Sequence, residues 1–248
     1  MKKQAIILAA GTGSRLRAVS KGTHKALIRI GERRLIDYQL DLLAAVNIEA
    51  VCIVAGYDAN EVCSVLGVGG ECIVNPRYAE TNSLYSLNLA RDWVTGPFVL
   101  MNCDVFAHPD VFHRVLAVNG NAFAYDSSSG HEEEHMKVAL DGNYLKAMSK
   151  VLPKKETGGE NVGILQFDEE SAELLFSEAN ELIASGKEDR WVAAAVTRIS
   201  SRVPIRAVDI AGLPWIEIDF PEDLERARRE ICPAVGCCDR SRMELKVA

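Results

Sequence analysis

The chain has 248 residues, of which 48% are hydrophobic and 25% are charged, and its formal net charge is −7. This size allows one domain with a large core or two small domains. The negative charge argues against a general nucleic-acid-binding protein, which needs a basic patch, so we expect no nucleic-acid partner. No apolar run reaches the roughly 20 residues of a membrane-spanning helix, so we expect no membrane association.

The N-terminal residues do not have the pattern of a signal peptide. The basic start, Met1 to Lys3, is followed by an apolar stretch that ends at Gly11 without a cleavage site. We therefore expect a cytoplasmic protein.

The seven cysteines are odd in number, and the first four lie in apolar strand or helix patterns. This predicts reduced, buried thiols rather than a disulfide framework. Cys232, Cys237 and Cys238 cluster near the C-terminus. Because no second Cys or His pair stands at zinc spacing, we interpret them as part of a tail without a role, with a metal clip or redox pair as the alternative.

Apolar runs alternate with amphipathic helical patterns in the first half of the chain. This βαβα alternation predicts a parallel sheet covered on both faces, whose ligand lies at the carboxyl ends of the strands. The predicted strands are 4–10, 50–55, 71–74 and 97–103, and the predicted helices are 34–46, 58–66, 82–92 and 109–117.

The second half has shorter strand patterns and then two longer helical ones. No linker or internal repeat interrupts it, so we predict a single domain over 1–232 and a tail over 233–248. The predicted strands are 121–126, 136–141, 144–149, 204–209 and 214–218, and the predicted helices are 169–185, 189–199 and one that begins at Pro221.

A glycine-rich loop, residues 11–16, follows the first predicted strand, and Lys25 comes ten residues after Arg15. Glycines let backbone N–H groups approach phosphate oxygens, and the two cations neutralise phosphate charge. The loop lacks the G-x-x-x-x-G-K-[ST] string of a Walker A motif. It also has Leu16 where a dinucleotide-binding loop needs its third glycine. The pattern therefore predicts a polyphosphate site of another kind.

Residues 8–16 match the signature L-A-A-G-x-G-[ST]-R-[LM] at every fixed position, and Lys25 stands in a string like P-K-A-L with His24 in place of the proline. Over about residues 1–230, the chain resembles the nucleotidyltransferase superfamily that makes nucleotide-activated sugars and alcohols. The resemblance implies an α/β fold with a Rossmann-like mixed, mainly parallel sheet flanked by helices. It also implies a nucleotide-binding half over 1–118 and an acceptor-binding half over 119–232.

The same resemblance implies that Arg15 and Lys25 are the catalytic residues. Lys25 would contact the α-phosphate and the leaving pyrophosphate, and Arg15 would hold the β- and γ-phosphates. The implied nucleotide-binding residues are Leu8, Ala9, Ala10, Gly11, Thr12, Gly13, Ser14, Arg15, Asn82, Ser83 and Asp104.

Two acids are candidates for holding the Mg²⁺ that nucleotidyl transfer requires. Asp104 ends the apolar run 98–103, and the superfamily has an Asp in a similar string. Asp219 lies in a string similar to W-x-[DE]-[IV]-D-[ST]-x-E-D-L, whose middle Asp is the other metal ligand in the family; Phe220 departs from the usual small polar residue. Alternatively, Asp219 caps the helix that begins at Pro221.

Residues 75–87 are similar to the string N-x-x-Y-x-x-x-N-[SN]-x-Y-S-L of one branch of the superfamily. That branch contains the CTP:phosphocholine and CTP:2-aminoethylphosphonate cytidylyltransferases. It implies CTP as the donor, a small phosphate or phosphonate amino alcohol as the acceptor, and release of pyrophosphate. Asn82 and Ser83 either read the pyrimidine edge, as the branch implies, or cap a helix.

The oligomeric state is open, with a homodimer as one alternative.

The branch also implies that Lys137 and Lys150 bind the acceptor phosphate or phosphonate. A cationic acceptor needs an anionic or aromatic pocket in addition. Trp191 is interpreted as core packing of a helix rather than as part of that pocket. The predicted acceptor-binding residues are Tyr85, Lys137, Lys150, Glu160, Asp189, Trp215 and Glu217.

Three other functions share features with this sequence. A sugar-1-phosphate or inositol-phosphate nucleotidyltransferase stays an alternative, as does a regulatory nucleotide-binding module without activity. Such modules tend to lose the catalytic lysine or a metal-binding acid, whereas this chain has Arg15, Lys25, Asp104 and Asp219. Residues 131–135 also satisfy the H-E-x-x-H string of zinc proteases, but a strand-like run follows and no third ligand stands downstream, so we interpret them as a solvated acidic turn.

Overall fold

The computed structural model describes residues 3–67, 69–129 and 134–236. The strands are β1 (Gln4–Ala9), β2 (Arg29–Ile30), β3 (Arg33–Arg34), β4 (Ala50–Ala55), β5 (Glu71–Val74), β6 (Phe98–Asn102), β7 (Val105–Ala107), β8 (Ala122–Asp126), β9 (Lys137–Asp141), β10 (Tyr144–Ser149), β11 (Gly159–Phe167), β12 (Arg206–Asp209) and β13 (Trp215–Glu217). The helices are α1 (Arg17–Ser20), α2 (Leu35–Ala45), α3 (Ala59–Cys63), α4 (Ser83–Leu89), α5 (Pro109–Leu116), α6 (Glu169–Ala184), α7 (Ala193–Ser200), α8 (Pro221–Arg226) and α9 (Cys232–Val235).

A nine-stranded sheet in the order β5-β4-β1-β6-β11-β8-β12-β10-β9 forms the centre of the fold. Strands β5, β4, β1 and β6 pair in parallel, as the alternation in the first half predicts. In the second half, β11 is antiparallel to both β6 and β8, and β10 is antiparallel to β9. The predicted α/β fold with a mixed sheet and flanking helices is confirmed.

Both faces of the sheet are buried. Successive side chains of a strand point to opposite faces, so a single strand contributes to two core clusters. On β1, Ile7 and Ala9 pack in a core cluster with α2 and α5. Ile6 and Leu8 pack in a second cluster with α4, α6 and α7. The helices therefore cover both faces of the sheet. The loops lie at the carboxyl ends of its parallel strands.

The long central strand β11 was not predicted from the sequence. Gly159 and Gly163 interrupt its apolar pattern, and the register to β8 shifts between Asn161 and Leu165. Gly163 has φ +79°, and an added Cβ there would lie 2.8 Å from the Nδ2 atom of Asn102. Glycine is therefore required where β11 passes close to the end of β6.

The prediction that the first four cysteines are reduced is wrong for two of them. Cys63 at the end of α3 and Cys72 in β5 form a disulfide, with Cα atoms 5.7 Å apart. Cys52 and Cys103 are free and buried, as predicted. Cys232, at the start of α9, is buried in the core and disulfide-bonded, so its interpretation as part of a tail without a role is wrong. Cys237 and Cys238 lie outside the described residues. Among the helices that the structure describes, none combines the length and the apolar composition needed to cross a bilayer.

Candidate active site

A cleft with a volume of about 600 Å³ opens at the carboxyl ends of β1 and β6. Most of the predicted nucleotide-binding residues line it. Ala9 does not, because its side chain faces the core on the other side of β1. The predicted residues that line the cleft are Leu8, Ala10, Gly11, Thr12, Gly13, Ser14, Arg15, Lys25, Asn82, Ser83, Asp104, Lys150, Glu217 and Asp219.

The glycine loop forms the wall of this cleft beside Lys25. Gly13 has φ +54°, and a Cβ built on it would lie 3.3 Å from the Cβ atom of Lys25. Gly11 has no heavy atom within 4 Å of such a Cβ. The loop then turns into a short 3-10 helix whose Leu16 is buried and anchors it to the core. Gly13 thus permits the turn, and Gly11 leaves the cleft open.

We expect Gly13→Ala and Gly11→Ala to separate these two roles. An alanine at the left-handed position of Gly13 costs about 1–2 kcal/mol, which lowers Tm by about 5 °C, and it crowds Lys25. The Gly11→Ala variant keeps the wild-type Tm, because its methyl group meets open space, but it raises the KM for the nucleoside triphosphate. Thermal melting and initial-rate kinetics measure both effects. A Gly11→Ala enzyme with an unchanged KM would mean that phosphate does not approach this loop.

Lys25 lies between two acids that are distant in sequence. Its Nζ atom is 2.5 Å from an Oδ atom of Asp104 and 2.6 Å from an Oδ atom of Asp219. Asp104 follows β6, and Asp219 follows β13, which pairs with β7 next to Asp104. The backbone N–H of Ile218 donates to the carbonyl of Asp104 at 3.0 Å. This pairing brings together the lysine and the two acids that were predicted to form the site.

Burial and charge shift the pKa values of these groups in opposite directions. Burial alone would lower the pKa of Lys25, but the carboxylates of Asp104 and Asp219 raise it above its ordinary value. Burial favours neutral Asp219, yet the Lys25 ammonium lowers the pKa of this acid. Burial, and then repulsion by Asp104 and Asp219, raises the pKa of Glu217 to about 8. The site therefore holds more acid groups than its cation neutralises.

Three carboxylates form a group that fits a divalent cation. One oxygen from each of Asp104, Glu217 and Asp219 lies within 4.8 Å of the others. The Oδ1 atom of Asp104 is buried without a hydrogen-bond partner. Carboxylate oxygens are the ligands that Mg²⁺ prefers, and a buried oxygen without a donor gains most from a cation. Glu217, which was predicted to contact the acceptor, thus lies with the predicted metal ligands.

Asp219 is not used as a helix cap. The N-cap residue of α8 is Phe220, and the Oδ2 atom of Asp223 accepts hydrogen bonds from the backbone N–H groups of Asp219 and Phe220. The alternative interpretation of Asp219 as a cap is therefore wrong, and its carboxylate is left for Lys25.

Asn82 and Ser83 both line the cleft and both have structural partners. The Oδ1 atom of Asn82 accepts from the N–H of Ser83 at 2.8 Å and caps α4. The Ser83 hydroxyl accepts from the N–H of Val192 at 3.0 Å and ties α4 to the segment before α7. The capping interpretation of Asn82 is confirmed, and contact with a nucleobase stays a prediction.

Of the predicted acceptor-binding residues, Lys150 and Glu217 line the cleft and the others do not. Lys137 is buried and its ammonium donates to the carbonyl of Lys150 at 3.2 Å, beneath the cleft wall. Tyr85 stacks with Arg77, and Asp189 is exposed.

Glu160 and Trp215 lie in a second, smaller cavity of about 340 Å³, which shares Glu217 with the cleft. Glu160 pairs there with His135 at 2.9 Å, and the Trp215 indole N–H donates to Asp126 at 2.8 Å. Contact of these residues with an acceptor stays a prediction.

Among the cleft residues that sequence reasoning missed, Trp191 and Glu134 carry the most chemistry. Trp191 precedes α7 and is 41% exposed, so its interpretation as core is wrong. The Lys150 ammonium lies 4.7 Å from the centre of its ring. The charged residues before Trp191 were the available indication that it lies at the surface. Glu134 lies 3.0 Å from Arg15 and 3.7 Å from Lys150, and so bridges the two halves of the cleft; its local sequence gives no indication of this.

The H-E-x-x-H string lies partly outside the described residues, which resume at Glu134. His135 pairs with Glu160, and β9 begins two residues later, so no helix carries this end of the string. Within the described ranges, the acids around Lys25 are the only group with metal-ligand geometry.

Comparison with known proteins identifies the family of the chain. Residues 5–169 match the family model of the MobA-like NTP transferase domain. A choline-phosphate cytidylyltransferase of Streptococcus pneumoniae is 28% identical over 225 residues, which are 90% of this chain and 96% of that protein. A CMP-5'-(3-aminopropyl)phosphonate synthase of Streptomyces rubellomurinus is 34% identical over 121 residues, but these are 46% of this chain and 19% of that protein.

The fold is shared with a solved inositol-1-phosphate CTP transferase from T. maritima, with a TM-score of 0.80, 21% identity and coverage of 96% of this chain and 97% of the other. The chain spans about half the length of three bifunctional relatives, IPC transferase and DIPP synthases, that it also matches. The resemblance inferred from the loop and the acidic strings is confirmed. This chain belongs to the MobA-like NTP transferase domain family and is a nucleotidyltransferase.

Proposed function

We propose that the chain is an Mg²⁺-dependent cytidylyltransferase. It transfers CMP from CTP to a small phosphate or phosphonate amino alcohol, with 2-aminoethylphosphonate and phosphocholine as the leading acceptors, and releases pyrophosphate. The observation that carries this proposal is the convergence of Lys25, Asp104 and Asp219 beside the glycine loop. Two relatives, a choline-phosphate cytidylyltransferase and a CMP-5'-(3-aminopropyl)phosphonate synthase, support this choice within the family.

The reaction needs alignment and charge neutralisation rather than a strong base. An oxygen of the acceptor phosphate or phosphonate, already ionised at neutral pH, attacks the α-phosphorus of CTP. The bond from that phosphorus to the oxygen bridging the β-phosphate breaks, and pyrophosphate leaves with the electron pair. Lys25 and Arg15 would neutralise the charge that moves to the leaving group.

Asp104, Asp219 and Glu217 are the residues that would hold the divalent cation. When bound, this ion supplies Lewis-acid polarisation of the phosphate oxygens. The Lys25 ammonium, which now lies between two of these acids, is the group that would reorient toward phosphate. The orphaned Asp104 oxygen supports this assignment.

The acceptor half of the cleft has the chemistry that a zwitterion needs. Lys150 supplies a cation for the phosphate or phosphonate group, and the Trp191 ring and the Glu134 carboxylate lie beside it. A ring face that already packs against an ammonium, next to a carboxylate, fits a cationic amine better than the neutral hydroxyls of a hexose or inositol. This favours an amino alcohol acceptor over a sugar-1-phosphate.

Pyrophosphate release tests the proposal. Purified protein with Mg²⁺ is assayed with each of CTP, UTP, GTP, ATP and dTTP against phosphocholine, phosphoethanolamine, 2-aminoethylphosphonate, inositol-1-phosphate and glucose-1-phosphate. We expect the highest kcat/KM with CTP and an amine-bearing acceptor. A Lys25→Met preparation serves as the control for contaminating activity.

Two results would overturn the proposal in different ways. Preference for UTP or dTTP with a hexose-1-phosphate would show a sugar nucleotidyltransferase. Tight nucleotide binding without turnover on any pair would favour a regulatory module.

A further inference from the structure

We propose that His24 is a positioning residue. As a neutral Nε2–H tautomer, it fixes the position of the glycine loop relative to Lys25, so that both can bind phosphate. This inference rests on the proposed function of the cleft. It concerns a residue that departs from the family signature, where a proline stands in this place.

His24 makes two hydrogen bonds to backbone on opposite sides of its ring. It is 1% exposed. Its Nδ1 atom accepts from the N–H of Ala26 at 3.1 Å and so caps the 3-10 turn Lys25–Leu27. Its Nε2 atom lies 3.1 Å from the carbonyl oxygen of Gly11. One side chain thus joins the lysine segment to the phosphate loop.

These partners determine the protonation state of the ring. The N–H of Ala26 can only donate, so Nδ1 must carry a lone pair, and the carbonyl of Gly11 can only accept, so Nε2 must carry the proton. A doubly protonated ring would set an Nδ1–H group against the N–H of Ala26. Only the neutral Nε2–H tautomer satisfies both contacts.

The groups around His24 keep it neutral. Burial lowers its pKa and the Lys25 ammonium lowers it further, while the Gly11 and Ala9 carbonyls and the Asp58 carboxylate oppose this shift. The Tyr57 ring stacks on His24 with centroids 6.3 Å apart, and the Arg17 guanidinium covers that tyrosine.

The bond to Gly11 orients the next peptide N–H. In a trans peptide the carbonyl oxygen and the following N–H point in opposite directions. Because the Gly11 carbonyl is held toward buried His24, the N–H of Thr12 points away from His24, and Thr12 itself lines the cleft. Loss of the His24 bond frees this peptide to rotate and to present its carbonyl to phosphate.

A proline at position 24 would set the same backbone but not these bonds. His24 has φ −58° and ψ 141°, within the range that a proline ring imposes. A proline side chain accepts and donates nothing, so it cannot bind Ala26 or Gly11. In this chain, the histidine therefore adds a link that the signature residue lacks.

Two substitutions separate the two bonds. In His24→Asn, the amide oxygen replaces the Nδ1 acceptor and keeps the cap, but the bond to Gly11 is lost. In His24→Gln, the amide nitrogen can reach the Gly11 carbonyl in place of Nε2, but the cap is lost. We expect His24→Asn to raise the KM for CTP about tenfold, the upper range for one hydrogen bond, and His24→Gln to raise it less. The KM for the acceptor stays unchanged in both.

The pH profile distinguishes positioning from mere packing. We expect the wild-type affinity for CTP to fall only at a pH below about 6.5, the ordinary pKa of histidine, because burial lowers the pKa of His24 and keeps the ring neutral to more acidic pH. Both variants lack the part of this decrease in affinity that protonation of His24 causes. A wild-type KM for CTP in both variants with an unchanged pH profile, or a lower Tm and kcat with KM intact, would overturn the proposal.

Nitrogen-15 NMR of the wild-type ring gives a test that needs no turnover. The neutral Nε2–H tautomer at pH 7 is expected, and an Nδ1–H tautomer or an imidazolium at that pH would contradict the assignment. If the wild-type enzyme shows no transfer with any nucleotide, the proposed function fails, while the ring tautomer still decides the role of His24. This spectrum also decides it if the variants do not fold.

Discussion

Replacing Lys25 with methionine is expected to lower kcat by a factor of about 10²–10³, the usual loss when one preorganised charge at a reacting group is removed. The methionine fills much of the same volume, so the cleft keeps its shape. The ammonium between Asp104 and Asp219 is lost, and with it the cation that would stabilise the leaving pyrophosphate. Steady-state pyrophosphate release measures the effect, and Lys155→Met, at an exposed position, is the matched control.

The same variant has a second effect, on stability. Without a divalent ion, the three acids of the site would face each other without a cation. Removing one partner of such a buried pair costs about 3 kcal/mol. Because a bound divalent ion supplies the missing positive charge, Mg²⁺ is expected to restore most of the lost Tm. Full activity in Lys25→Met, or a Tm equal to that of the wild type without Mg²⁺, would remove Lys25 from the site.

Replacing Asp219 with asparagine is expected to abolish the effect of divalent ions on the protein. We expect the wild-type Tm to rise with Mg²⁺ concentration, because an ion that binds only the folded state stabilises it. Asp219→Asn loses one of the carboxylates that would hold the ion, so its Tm stays flat over the same titration. Its kcat falls by about 10²–10³ as well.

The stability of this variant without metal separates the roles of the acid. In Asp219→Asn, Lys25 keeps Asp104 as a partner. The substitution also removes one negative charge from the three acids Asp104, Glu217 and Asp219, which outnumber their cation. We therefore expect little change in Tm in the presence of EDTA. Asp92→Asn, which removes an exposed acid outside the cleft, should respond to Mg²⁺ like the wild type. An Asp219→Asn protein whose Tm still rises with Mg²⁺ would place the metal elsewhere.

Much of the fold was predictable because it follows from local patterns. The first four sheet strands and the helices between them appear where apolar runs and helical spacing placed them, within a few residues. The glycine loop and Lys25 were recognisable because each stands in a short, contiguous string, and both line the cleft. These features depend on residues that are neighbours in the chain.

Other features depend on which strands meet, and no local pattern contains that information. Strand β11 joins the two halves of the sheet, although its glycines weaken its local pattern. The bond between Cys63 and Cys72 depends on how α3 packs beside β5. Trp191 looked like a core residue because its neighbours along the chain are apolar on one side, yet it is exposed at the cleft.

The amino-acid sequence by itself determined that the glycine loop, its lysine and the two acids are candidates for one site, since each stands in a contiguous string. Only the tertiary structure decided how they meet. The pairing of β13 with β7 brings Asp219 to Asp104, adds Glu217 to them, and leaves Lys25 between the first two. The physical reason is that such contacts come from backbone hydrogen bonds between segments more than a hundred residues apart, whose partners are chosen by the packing of the whole sheet.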